Sequence, residues 1–135
     1  MDCLFCAIVV GAAPAHQVLD EEHVIGFLDV RPVFKGHVLL VPRVHHETLP
    51  DLPGELLVPL FGAAQRVADA VLAVFGAHGS FVAVNNTVSQ SVPHLHVHVV
   101  PRRRKDGLRG FFWPRTRYEI DEAEDHAARL RAGLA

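Results

Sequence analysis

His94, His96 and His98 stand two apart in the run "PHLHVHVVP", with Leu95 and Val97 between them and Val99 and Val100 behind. A β-strand sends successive side chains to opposite faces, so this spacing predicts three imidazoles on one face and an aliphatic set on the other. Burying three imidazoles without partners costs roughly 1–3 kcal/mol each, so the run reads as a site. Two chemistries suit it. Three imidazoles can hold a catalytic metal that keeps an open position. Alternatively, one neutral imidazole is a nucleophile while its neighbours orient it and move a proton. The spacing does not choose between them. Asn85 and Asn86 end the preceding strand, and Gln90 and Ser91 stand just before the histidines. Such groups suit phosphate oxygens or a developing oxyanion. They are also ordinary loop residues.

A second chemical motif lies near the start. Cys3-x-x-Cys6 has the spacing of half a tetrahedral zinc site. A redox pair would require a preceding strand and a βαβ setting. Two buried, apolar cysteines are the plainest alternative. A third segment, "PRRRKDGLRGFFWPRTR" (101–117), interleaves most of the positive charge with Phe111, Phe112 and Trp113. It reads as a solvated loop that folds its aromatics onto the body. A lid, a dimer arm or a weak nucleic-acid patch is the functional alternative.

The elements that must position these residues follow from pattern. "HQVLDEEHVIGFLDV" (16–30) predicts two strands about a turn at Asp20–Glu22. "RPVFKG" is a turn punctuated by Pro32 and Gly36. "HVLLVP" (37–42) is a short buried strand. Leu57, Leu60, Ala64, Val67, Val71 and Phe75 recur every three or four residues, which predicts one long helix ended by Gly76. Pro59 should start or kink it. "SFVAVNN" (80–86) and "HLHVHVV" (94–100) are strands. "DEAEDHAARLRAGL" (121–134) is a C-terminal helix, acidic at its start and basic at its end, as the helix dipole favours. The expected fold is α+β: a five-stranded antiparallel sheet with one long helix and a C-terminal helix.

The chain has 135 residues, half of them apolar, which predicts a single domain over 1–135 with a real core. Its formal net charge of −2 shows no global basic field, so no specific nucleic-acid partner is expected. No run appears apolar enough to cross a bilayer, and "MDCLFCAIVVG" lacks the basic start of a signal peptide. A cytoplasmic setting is expected, since two cysteines make no disulfide framework.

His94-Leu95-His96-Val97-His98-Val99-Val100 resembles the signature of the histidine triad family, three histidines alternating with apolar residues. "DCLFCAIVVGAAPA" is similar to the family's opening segment. "GFLDVRPVFKGHVLLVPRVHHETL" (26–49) is similar to its central hairpin, with the Gly-His and Pro-x-x-His features in place. "NNTVSQSVPHLHVHVVPR" is similar to its catalytic region. The resemblance implies a purine nucleotide substrate and a hydrolase or transferase acting at the α-phosphate. It implies His96 as the nucleophile that carries a transient nucleotide, and His98 as the group that contacts phosphate and assists the leaving group. An ordinary imidazole pKa of about 6.5 allows a neutral nucleophile and a protonated partner to coexist near pH 7. By the same resemblance Asp29 meets the ribose, and Phe5, Ile8, Phe27 and Val30 line the base pocket. Asn85, Gln90 and Ser91 handle the phosphate. A zinc-binding branch implies one structural zinc on Cys3, Cys6, His45 and His94, with His46 as an alternative to His45. A homodimer is implied too, and no divalent ion needs to carry the chemistry. One departure stands out: the loop "TVSQSV" is short, and Ser89 stands where relatives commonly have glycine. A nucleotide sensor without turnover, or a metalloenzyme on the three histidines, are the rival readings.

Overall fold

The computed structural model describes residues 2–108 and 115–135. Helix α1 spans Leu4–Val9, followed by strands β1 (Gln17–Asp20), β2 (Val24–Leu28) and β3 (Val38–Pro42). Helix α2 (Leu57–Phe75), strands β4 (Gly79–Ala83) and β5 (Val97–Arg102) and helix α3 (Glu122–Leu134) complete the order. The strands form one antiparallel sheet in the order β1-β2-β3-β5-β4. The expected α+β architecture is therefore present, with five strands, one long helix and a C-terminal helix.

Register decides which residues share a face, because cross-strand partners point the same way. Leu40 pairs with Val97 and Val38 with Val99. These four, with Leu95, pack against Leu60, Ala63 and Ala64 of α2. Leu39 pairs with His98 and with Phe27. This opposite face carries Ile25, Phe27, Leu39 and Val41, covered by Phe5 and Ile8 of α1. Leu95, Val97 and Val99 are fully buried. Each such aliphatic stabilises the fold by roughly 1.5–3 kcal/mol, so the alternation holds the histidine run against the sheet.

Several elements differ from the sequence expectation. Helix α1 is not anticipated: "LFCAIV" is apolar without helical periodicity, and the Cys3 side chain caps it by accepting Cys6 N–H at 3.4 Å. Strand β5 begins at Val97, so His94 and His96 lie on the extended approach to it. Pro93 and a loop containing left-handed Thr87 and Ser89 delay the ladder. Pro59 does fall at the start of α2 as expected, in the first turn, where no helical N–H bond is required. The stretch Gly54–Phe75 is in fact long and apolar enough by composition to cross a bilayer. Here it packs on the sheet through Leu60, Ala63, Ala64 and Val71, with Leu57 and Phe75 at its ends half exposed.

Among the first arginines of the basic segment Arg102 is partly buried, while Arg103 and Arg104 are exposed, as a solvated loop requires. Arg102 forks onto Asp106 and donates to Leu108 O. Arg103 donates to the carbonyls of Phe75 and Gly76, which the end of α2 leaves without helical partners. Phe111, Phe112 and Trp113 lie outside the described residues.

Candidate active site and metal cluster

Four hydrogen bonds set what the three histidines can do. His94 Nε2 donates to the Pro42 carbonyl at 2.8 Å, so its lone pair is at Nδ1. His96 Nδ1 donates to the His94 carbonyl at 2.7 Å, so its lone pair is at Nε2. His98 is set from outside the run. The Val33 N–H donates to His37 Nδ1 at 3.1 Å, which puts the His37 proton on Nε2. That nitrogen lies 3.0 Å from His98 Nδ1, so it donates there and the His98 proton sits on Nε2. His98 Nε2 is buried and has no hydrogen-bond partner among the described residues. A buried donor without a partner costs roughly 1–3 kcal/mol, which a bound acceptor would recover.

His37 enters the sequence reading only through the Gly-His feature, with no place at the site. One histidine after a Gly-36 turn carries no periodic signal, and only the β3–β5 pairing brings it to His98. It is buried, and its Nδ1 stands 3.7 Å from Asp29 Oδ2. The other Asp29 oxygen accepts the Arg31 N–H at 2.9 Å. Burial, then the neighbouring His96 and His37, push His98 down to about 4, against the pull of Asp29. Burial also lowers His37, again against Asp29. In the free protein at pH 7 His98 is therefore neutral. The protonated partner expected from sequence is not standing ready there, because desolvation disfavours the cation.

Two cavities meet at this point, and both are lined by Asp29 and His98. One, of about 390 Å³, has Phe5, Ile8, Phe27, Val30, Ser91 and His96 in its walls. Phe5 and Phe27 stack edge to face at 5.3 Å between centroids, and the His96 ring meets Phe5 at 5.0 Å. Phe5, Ile8 and Phe27 are thus core and cavity wall at once, and Val30 is an exposed rim. The second cavity, of about 660 Å³, takes in Asn85. Gln90 borders neither: its side chain accepts Thr87 N–H at 2.8 Å and donates to Glu47 O at 2.6 Å, which braces the loop. Ser89 holds φ +62°, the left-handed region where glycine is at ease.

On the other side of His94 the cysteines gather. His94 Nδ1 lies 3.4 Å from Cys3 Sγ and 3.5 Å from Cys6 Sγ, and His45 Nδ1 lies 3.3 Å from Cys6 Sγ. Tetrahedral zinc with ordinary bond lengths sets neighbouring sulfur and nitrogen about 3.6 Å apart, so the four donors fit the ion. All four ligand atoms lie within 4.8 Å of one another, and together they could hold a metal ion. His46 is outside the cluster and accepts Leu95 N–H through its backbone carbonyl. Burial and the neighbouring Cys3 raise the Cys6 thiol, which a bound cation would reverse. Because His94 turns its lone pair to the thiols, the three triad rings do not converge on one metal.

The fold is shared with solved structures. A HIT family structure from Bacillus subtilis superposes with TM-score 0.90 at 34% identity, covering 100% of this chain and 99% of that one. A zinc-bound histidine triad family protein from Mycobacterium smegmatis gives TM-score 0.77 at 36% identity, covering 98% of each chain. The adenosine 5′-monophosphoramidase of Saccharomyces cerevisiae is 32% identical over 124 residues, 89% of this chain and 75% of that one. The model of the HIT domain matches residues 10–105. That match takes in His37, both flanking strands and the whole histidine run, and by it the chain belongs to the HIT domain family.

Proposed function

We propose that this protein is a nucleotidyl hydrolase or transferase that splits nucleoside phosphoramidates, or nucleoside phosphoanhydrides, through a covalent nucleotide on His96. The observation that carries the reading is the pair of His96 and His98 tautomers. The His94 carbonyl holds the His96 proton on Nδ1 and leaves Nε2 as the nucleophile. His98 offers an unpartnered Nε2–H beside it. The yeast phosphoramidase relative supports the same bond type.

In this reading the base enters the cavity between Phe5, Ile8, Phe27 and Val30, a purine-sized apolar slot, and Asp29 meets the ribose. Ser91 and Asn85 face the phosphate, and Gln90 braces the loop that carries Ser91. An arriving phosphate is anionic, and its charge beside His98 favours a second proton that burial alone disfavours. Asp29 and His37 form the route for it: a proton taken up at His37 Nδ1 passes the Nε2 proton on to His98 Nδ1. His96 Nε2 then attacks phosphorus, and a phosphorus–nitrogen bond to His96 forms. The bond to the leaving amine breaks with its electron pair, and His98 gives that amine its Nε2 proton. Water next attacks phosphorus, returns a proton to His98 and frees His96 and the nucleoside monophosphate.

Cys3, Cys6, His45 and His94 would hold one structural zinc, which would tie α1 to the approach to β5 and supply no chemistry to the reaction. The reading includes a homodimer, supported by the outer strand β4, whose Val82 is exposed, and by exposed Leu57 and Val58 on α2. A cytoplasmic setting belongs to it as well. The test is hydrolysis of adenosine 5′-phosphoramidate with mass spectrometry of quenched enzyme. Wild type should turn over and carry adenylate on His96, and His96→Ala should lose at least about 10³-fold in rate. Wild-type rates no higher than the variant's would leave a nucleotide sensor.

A further inference from the structure

Phe5 stands between Cys3 and Cys6 in the first turn of α1. It is buried in the wall of the cavity of about 390 Å³. Its ring meets Phe27 at 5.3 Å and His96 at 5.0 Å between centroids. It also meets the His94 ring edge to face at 6.0 Å. One wall of the cavity is therefore carried by the same short helix that brings two of the four clustered donors. Apolar packing on the sheet holds that helix in part. Among the described residues, the hydrogen bonds that join α1 and its cap to other elements run from Cys3 and Cys6 to His94 and His45.

The histidine run is held differently. His94 Nε2 donates to the Pro42 carbonyl, the His94 N–H donates to Val92 O at 2.8 Å, and the Leu95 N–H donates to His46 O at 2.7 Å. These bonds fix the main chain that presents the His94 carbonyl, and with it the His96 tautomer, without the cysteines. Phe5 has no such independent support. The thiol–imidazole contacts at 3.3 to 3.5 Å are weak hydrogen bonds, whereas four bonds to one ion would fix α1 at a point. The cluster is also within reach of solvent. His45 is exposed, Cys6 is half-buried, and a cavity of about 470 Å³ opens onto both.

We infer that Cys3, Cys6 and His45 are positioning residues for the nucleotide cavity: the ion they hold with His94 sets nucleotide affinity by keeping Phe5 in the wall, and leaves the chemical step to the histidines. The inference rests on the proposed nucleotide reading of that cavity. If Phe5 is in place about one-tenth of the time without the ion, affinity falls about 10-fold, because Kd rises as the competent fraction falls.

Calorimetric binding of adenosine 5′-monophosphate to zinc-loaded and chelator-treated protein tests it. Chelation should raise Kd about 10-fold. His45→Ala, at the exposed ligand, should do the same. His45→Cys, which restores four zinc donors, should bring back zinc and affinity together. In hydrolysis of adenosine 5′-phosphoramidate, KM should rise about as much as Kd, while kcat stays within about 3-fold. Phe5→Ala should bind weakly with or without zinc, because the ion acts through Phe5. Circular dichroism and elemental analysis accompany each sample. A wild type that takes up no zinc, equal Kd with and without zinc, an effect on kcat alone, or an undiminished zinc effect in Phe5→Ala would overturn the inference while leaving the nucleotide reading intact. So would loss of fold in both the chelated protein and His45→Ala, which makes the ion a folding requirement instead. Neither binding nor hydrolysis by zinc-loaded wild type would remove both.

Discussion

Among single residues, His37 has the largest effect for the smallest sequence signal. Its Nε2–H fixes the His98 tautomer across 3.0 Å, and its other nitrogen faces Val33 N–H and Asp29. His37→Ala should lower kcat about 10- to 100-fold, the usual cost of losing a partner that orients a working imidazole. KM should change less than kcat, because His37 lines the cavity that takes in Asn85 but not the one that contains Phe5 and Phe27. The pH profile of kcat should change as well, since the proton route through His98 is cut. Steady-state kinetics across pH 5 to 9 separates this from a general loss of folded protein, which would scale every point alike. Ser89 tells a different story at the same scale. Its left-handed backbone is one that glycine adopts without strain, so Ser89→Gly fits the loop as it stands.

At the scale of elements, two joints decide whether the site is assembled. The first is Gly36, at φ +96°, where a Cβ would fall 2.6 Å from Phe75 Cε2 at the end of α2. Gly36→Ala should cost about 1–3 kcal/mol through strain and overpacking, measured by denaturant unfolding, and should displace His37 one residue on. The second is α1, whose only described side-chain anchor to the histidine approach, apart from apolar packing, is the cysteine–histidine cluster. Cys3→Ser should abolish stoichiometric zinc in protein purified without chelator, read by elemental analysis, and should lower Tm. Zinc retained in that variant would move the ion elsewhere.

These joints also mark what could be read from the chain. The alternation from His94 to Val99 correctly divides histidines from core aliphatics, because period two survives wherever the backbone is extended. The α2 stripe and "HVLLVP" are legible for the same reason: each buries a periodic face. Helix α1 is hidden because its few residues are apolar on all sides and held by a thiol cap. His37 is hidden because its partner is sixty-one residues away. The contacts of Arg102 and Arg103 are hidden, since neither Asp106 as a clamp nor the bare end of α2 is visible in sequence.

For the molecule as a whole, the buried imidazoles make stability depend on pH. His98 falls from the ordinary 6.5 to about 4 on folding, and His37 is lowered too. The unfolded chain therefore binds more protons than the folded one between those values. The stabilisation is full above pH 6.5, declines as pH falls through that window, and is gone below about 4. The His98 contribution is on the order of 2–3 kcal/mol. Thermal melts from pH 7.5 to 4.5 should show Tm falling steadily, and His98→Asn should flatten the slope. A wild-type slope unchanged by that substitution would remove His98 as its source.

The bond from His96 Nδ1 to the His94 carbonyl has a consequence for how such a chain can change. Its acceptor belongs to the main chain, and no point substitution deletes a main-chain carbonyl. A descendant could trade the His94 imidazole for another side chain, losing one of the four clustered donors, and still inherit the His96 tautomer. The proposed ion binding and the proposed bond cleavage would therefore be heritable independently, although His94 serves both.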